Sequence, residues 1–137
     1  FRLGMEEFAV NVLQVKEIMG VQEVTRLPQT PPYIKGVINL RGKVIQVMDL
    51  RARFGMPEAE DSPHSCIIVV QVPARGTEVL CGITVDSVSE VMQIAETDVE
   101  NVPDFGEALM EDYLTGIAKV KGKVKILVDI DKVVLSA

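Results

Sequence analysis

Histidine occurs once and cysteine twice in this chain of 137 residues, tryptophan is missing, and aromatics make up 4%. These scarcities remove most metal and redox chemistry. No pair of His or Cys residues has the spacing of a zinc site. Cys66 and Cys81 each sit inside a β-branched apolar run, as buried free thiols of a cytosolic protein do. The single histidine, His64, lies between Pro63 and Ser65 in an acidic stretch, where solvated surface is expected. No Gly-rich loop opens a helix to cradle phosphate. A Ser–His–Asp set could be assembled only against the local structure each member belongs to. Catalysis is therefore not expected, and neither is a cofactor or metal. A hydrolase would need a pocket lined with paired ionisable groups to be revived.

Basic charge is also in deficit, with a formal net charge of −6. A barrel that binds nucleic acid needs a basic footprint and stacking aromatics, so this class is opposed on both counts. No apolar run approaches the length of a membrane span, and no signal-peptide pattern opens the chain. The chain begins at Phe1 rather than Met, so residues ahead of it are expected and the missing signal carries less weight.

What the chain does hold is 47% hydrophobic and 25% charged residues, enough for one compact domain or two small subdomains sharing a core. Short Val/Ile/Leu/Met runs alternate with Gly, Pro and Asp. They predict strands at Phe8–Val12, Val24–Leu27, Gly36–Leu40, Val44–Met48, Cys66–Val72, Val79–Val85, Gly116–Val120 and Val124–Val128. Phe1–Leu3 reads as the end of another. Tight hairpins are expected at Leu40-Arg41-Gly42-Lys43 and Val120-Lys121-Gly122-Lys123, where Gly supplies positive φ, and a third at Arg75-Gly76. Short helices are expected at Leu50–Phe54 and Ile130–Leu135, with a turn near Asp86–Val91.

The chain also repeats itself. At an offset of 80, Tyr33, Gly36, Gly42, Lys43, Val44 and Asp49 fall on Tyr113, Gly116, Gly122, Lys123, Val124 and Asp129. Upstream, at an offset of 73, Val12, Val15, Glu17 and Met19 fall on Val85, Val88, Glu90 and Met92. The Pro- and acid-rich stretch 56–65 divides a single domain, 1–137, into approximate repeats 1–55 and 66–137. Two copies are too few for a solenoid and suggest two similar small barrels. Most repeated positions read as structural. Asp49 and Asp129 are placed to cap helices, and Gly36 and Gly116 to permit close backbone approach or a bulge.

What remains is recognition surface, centred on Ile34–Ile45. Asn39 and Arg41 share a face if the strand is extended through both. Lys121, the copy of Arg41, keeps the charge but loses the planar fork, so the first repeat has scope for a more specific task. At this point the residues resemble a family. Asn39-Leu40-Arg41-Gly42 followed by Val47-Met48-Asp49-Leu50-Arg51 looks like the signature of CheW-like chemotaxis adaptors. Val15-Lys16-Glu17-Ile18, Gly82-Ile83-Thr84-Val85-Asp86 and Tyr113-Leu114-Thr115-Gly116 look like further landmarks in the expected order. Gln46 departs from the family's frequent proline, which restores a backbone donor.

The resemblance implies a mainly β fold of two five-stranded barrels with short helices, one of them C-terminal. It implies a scaffold in the cytoplasm, at the inner face of the membrane, that couples the cytoplasmic tips of chemoreceptors to the regulatory domain of the histidine kinase CheA. Receptor contacts are expected at Val15, Glu17, Ile18, Gly36, Asn39, Arg41 and Gly42, in a groove between the barrels that takes a helix. Kinase contacts are expected at Val24 and Phe105. The alternative is a CheW-like regulatory domain of a longer chain, either the kinase's own or an adaptor fused to a receiver domain.

Overall fold

The computed structural model describes residues 1–57, 62–74, 76–88, 99–100, 113–120 and 122–135. Its strands are β1 (Arg2–Leu3), β2 (Glu6–Ala9), β3 (Val15–Gly20), β4 (Ile34–Leu40), β5 (Lys43–Asp49), β6 (Cys66–Ala74), β7 (Thr77–Val85), β8 (Val99–Glu100), β9 (Leu114–Val120) and β10 (Lys123–Val128). A 3₁₀ turn at Val12–Gln14 and the helices α1 (Leu50–Arg53) and α2 (Ile130–Leu135) complete it. The strands form two five-stranded sheets. A central sheet, in the order β3-β6-β7-β5-β4, comes from the middle of the chain. A terminal sheet, β1-β2-β10-β9-β8, combines strands from near both ends. Residues 1–55 and 66–137 thus each supply strands to both sheets.

The expected mainly β fold of two five-stranded units is present, but the units are open sheets rather than closed barrels. In the central sheet the edge strands β3 and β4 have no ladder between them. They are approached instead by one isolated bridge, Thr25 to Val37, and by a side-chain ion pair, Glu17 with Arg41. The expected strand Val24–Leu27 is reduced to that bridge. β3 itself does not stand among the expected strands because Lys16 is an extra residue in its ladder: Val15 pairs with Val70, and Glu17 already pairs with Val69. This bulge breaks the period of two on which the strand reading rests. The expected strand Phe8–Val12 ends early, at Ala9. Asn11 then accepts a hydrogen bond from Leu13 N at 2.9 Å and turns the chain into the 3₁₀ segment.

The near-continuous apolar run of β6 is explained by burial on both faces. Ile67 and Val69 join Ile38, Ile45 and Val47 in a small core on one side of the central sheet. Ile68, Val70 and Val72 face the other way, into a larger core shared with Leu3, Phe8, Ile126 and Val128 of the terminal sheet and with Leu50, Ile130 and Val133 of the helices.

The repeat is physical. Gly36 pairs with Val47 after a bulge and Gly116 with Leu127 after the same bulge. A Cβ on Gly36 would meet Thr25 O and Val24 Cγ1, and one on Gly116 would meet Glu100 O and Val99 Cγ1. Asp49 N donates to Tyr33 O at 2.7 Å, and Asp129 N to Tyr113 O at 2.8 Å. The carboxylates of Asp49 and Asp129 then accept from Arg51 N and Lys132 N, capping α1 and α2, contacts worth about 1 kcal/mol each.

Candidate functional site

The segments nominated for recognition occupy the two edges of the central sheet. The Lys16 bulge sends Val15 and Glu17 to opposite faces. Val15 packs on the larger core between the sheets. Ile18, paired with Ile68 on that same face, is 46% exposed at the margin of the junction. Glu17 is carried on β3 opposite Val69 of the small core.

At the other edge, the β4–β5 hairpin turns through Arg41 at φ 51° and Gly42 at φ 87°, both positive as this two-residue turn requires. Arg41 is thereby lifted out of the strand, so it does not share a face with Asn39 through simple alternation. Asn39 Oδ1 instead accepts from Gly42 N at 2.9 Å and holds the turn. Freed from the pleat, Arg41 Nη2 reaches Glu17 Oε1 at 3.0 Å. The pair is exposed, so its direct contribution to stability is about 0–1 kcal/mol. Its geometric consequence is larger, because it joins residues on opposite edges of one sheet. Behind it lies an open groove of about 450 Å³ with a floor of Leu40, Val69 and Leu80 and walls that include Lys16, Lys43, Gln71 and Glu78.

The nominated residues therefore divide. Glu17, Asn39, Arg41 and Gly42 meet at the groove, whereas Val15 and Ile18 face the inter-sheet junction. Gly36 is buried beneath the Thr25 carbonyl, against Val24. Val24 packs in part into the small core, which leaves less of it for a partner than its sequence position suggests. Phe105 lies outside the described residues, as do Arg75 and Lys121; β6 and β7 still pair from Cys66 to Thr77, flanking the expected third hairpin.

Two arrangements near the site were not expected from the sequence, although Arg51 and Asp86 each stand in a family-like motif. Arg51 binds Asp86 through two bonds, Nε to Oδ1 at 2.9 Å and Nη2 to Oδ2 at 2.5 Å, and Nη1 donates to Pro57 O. Asp86 also accepts from Gly4 N at 2.7 Å. The Arg51 hydrogen bond holds the Asp86 carboxyl below its ordinary range. The second arrangement is Arg53, 8% exposed, with its guanidinium carbon 4.2 Å from the Tyr33 ring centroid and 5.0 Å from that of Tyr113.

Neither cysteine forms a disulfide, and burial pushes the Cys81 thiol up to about 11, which keeps it unreactive. Among the described residues, no group of His, Cys, Asp and Glu is arranged to hold a metal ion, and no helix is long and apolar enough to cross a membrane.

Comparison with known proteins gives one answer. The family described as the CheW-like domain matches residues 1–137. The chain is 38% identical over 133 residues to the chemotaxis protein CheW of Rhizobium meliloti (strain 1021), covering 97% of this chain and 83% of that one. It is 38% identical over 136 residues to the chemotaxis protein CheW of Klebsiella aerogenes, covering 99% and 80%. The crystal structure of the scaffolding protein TtCheW from Thermoanaerobacter tengcongensis superimposes with a TM-score of 0.85 at 34% identity, covering 97% of this chain and 88% of that one. Two of these relatives are named as chemotaxis proteins and the third as a scaffolding protein.

Proposed function

Because this chain belongs to the CheW-like domain family, we propose that it is a chemotaxis adaptor that couples the cytoplasmic tips of chemoreceptors to the histidine kinase CheA. It acts by binding rather than catalysis, in arrays at the inner face of the membrane. Receptor contact uses Val15, Glu17, Ile18, Asn39, Arg41 and Gly42, with Gly36 setting the backbone beneath them. Kinase contact uses Val24 and Phe105.

The observation that carries this reading is the meeting of two sequence-distant segments. Residues around Glu17 and around Arg41 belong to opposite edges of the central sheet, and one ion pair closes them over an apolar-floored groove. A partner helix has aliphatic surface to bury there and polar groups to fix its register, which is how helix-in-groove recognition divides affinity from specificity. Ile18, exposed on the other face of the sheet at the margin of the inter-sheet junction, supplies a second and separate apolar contact.

The test is co-sedimentation with receptor-containing membranes, with and without CheA, alongside a kinase assay. The chain should pellet with receptors and raise kinase phosphorylation only when they are present. Arg41→Glu should leave the melting temperature nearly unchanged, since the pair it breaks is exposed, yet abolish receptor coupling. Coupling should return in part when Glu17→Arg is added. A large loss of thermal stability in Arg41→Glu would instead make the residue structural.

A further inference from the structure

We propose that Arg53 is a positioning residue for the adaptor role, a strut between the two repeated units that fixes the angle between the two sheets and so couples the surfaces each presents. The proposal rests on the adaptor reading above.

Arg53 ends α1, and Val133 occupies the equivalent position of α2 at the offset of 80. Arg53 Nε donates to the carbonyl of that same Val133 at 3.2 Å, so one half reaches across to its own counterpart in the other. The guanidinium is flanked by the rings of Tyr33 and Tyr113, which are themselves a repeat pair. Each tyrosine's carbonyl accepts the backbone N–H of the Asp that caps the helix of its own half. One side chain thus touches the structural foot of both hairpin–helix units. The neighbouring Phe54 extends the contact, with its ring 5.5 Å from Phe8 and 5.9 Å from Tyr113.

An apolar residue would fill this space, as Val133 does in the other half. Aliphatic contact alone, however, tolerates sliding and rotation of one sheet on another. A planar cation between two ring faces, with a directed N–H bond, specifies one orientation. The junction that receives Val15 and Ile18 lies along this same inter-sheet core, so its width depends on that orientation. A receptor held at the junction and a kinase held elsewhere on the domain would then sense each other through the inter-sheet angle.

The experiment compares wild type, Arg53→Met and Arg53→Lys in a background lacking Cys66 and Cys81. Spin labels at Val44→Cys and Val124→Cys, an exposed equivalent pair with one member on each sheet, report the inter-sheet distance. In Arg53→Met the distance distribution should broaden or shift. Receptor-dependent kinase stimulation should fall about tenfold, while binding to the isolated CheA regulatory domain changes little. Arg53→Lys keeps the charge without the flat fork and should fall between the two. A narrow, wild-type distribution with full coupling in Arg53→Met would reduce Arg53 to core filler. Should Arg53→Met fail to fold, wild-type distances and coupling in Arg53→Lys would overturn the proposal equally. Wild type failing to couple receptor and kinase would sink the adaptor reading instead, while the distance measurement still decides on Arg53.

Discussion

The central and terminal sheets share a backbone frame and fill it differently. Each carries the tyrosine, the bulged glycine, the two-residue hairpin and the capping aspartate at matching positions. In the central sheet Ile45 is buried in an aliphatic core, beside Leu80 of the parallel neighbour β7. Its counterpart in the terminal sheet is Lys125, which pairs with Glu7 of the parallel neighbour β2. Arg2 extends this row from β1, reaching Glu7 at 2.8 Å. Burying an isoleucine stabilises by about 1.5–3 kcal/mol. A buried ion pair contributes little net, because desolvation offsets attraction, yet breaking it is costly. The comparison teaches that glycines, turn and cap define the unit, while its interior is free to be apolar or ionic.

The largest expected effect tests whether the frame is equally strict in both copies. Alanine at Gly36 would place its Cβ 2.1 Å from Thr25 O, at φ +148°. Alanine at Gly116 would lie 2.7 Å from Glu100 O, without a positive φ. We expect Gly36→Ala to destabilise by about 3 kcal/mol or more and Gly116→Ala by about 1–2 kcal/mol in urea melts. Equal losses would mean that the two bulges are energetically the same and that the bridge from Thr25 adds no constraint.

Next in size is a transplant between the interiors. Glu7→Leu alone leaves Lys125 buried without its carboxylate and should cost about 3 kcal/mol. Glu7→Leu combined with Lys125→Ile copies the Leu80–Ile45 arrangement of the central sheet and should return stability to within about 1 kcal/mol of the parent. A double variant as unstable as the single one would mean that the two interiors are not interchangeable.

The same contrast explains what was legible in the sequence. Hairpins, caps and α2 were readable because each depends on local chemistry: Arg41-Gly42, Asp49 and the span Ile130–Leu135 stand where the residues place them. β6 was readable because its length and continuous apolar character leave few alternatives. β3 was hidden because an inserted residue at its start, Lys16, leaves Val15 and Glu17 on opposite faces and only Glu17–Gly20 in regular alternation. Sheet membership was hidden for a different reason: β2 pairs with β10 more than 110 residues away, and nothing local in Phe8 or Ala9 names Ile126 and Leu127 as partners. In the site, Glu17 and Arg41 were each nominated, but their contact depends on the positive φ at Arg41, which Gly42 alone does not dictate. Arg53 carried no signal, because its counterpart Val133 breaks the repeat at that position.

The smallest effect sharpens the comparison at the helix starts. Arg51 in α1 and Asp131 in α2 are counterparts at the offset of 80, and each reaches out of its helix to another segment. Arg51 grips Asp86, just beyond β7, whereas Asp131 accepts from Gln14 Nε2 at 2.6 Å, just before β3. The first contact joins two charges; the second pairs a charge with a neutral amide. Asp86 has a folded-state value below its ordinary 3.8, chiefly through the Arg51 hydrogen bond and further through Gly4 N–H, with burial opposing. A depressed carboxyl stabilises the fold only while the unfolded chain would also be ionised. Its contribution is therefore complete above 3.8 and is lost as pH falls through that value toward the lower folded one. Asp86→Asn removes this linkage. Urea melts from about pH 6 to about pH 3 should show the parent's advantage over Asp86→Asn shrinking across the acid limb, because protonation gradually makes the two side chains alike. A constant gap across the series would mean that Asp86 acts by shape alone, and that the charged and amide contacts at the two helix starts are interchangeable.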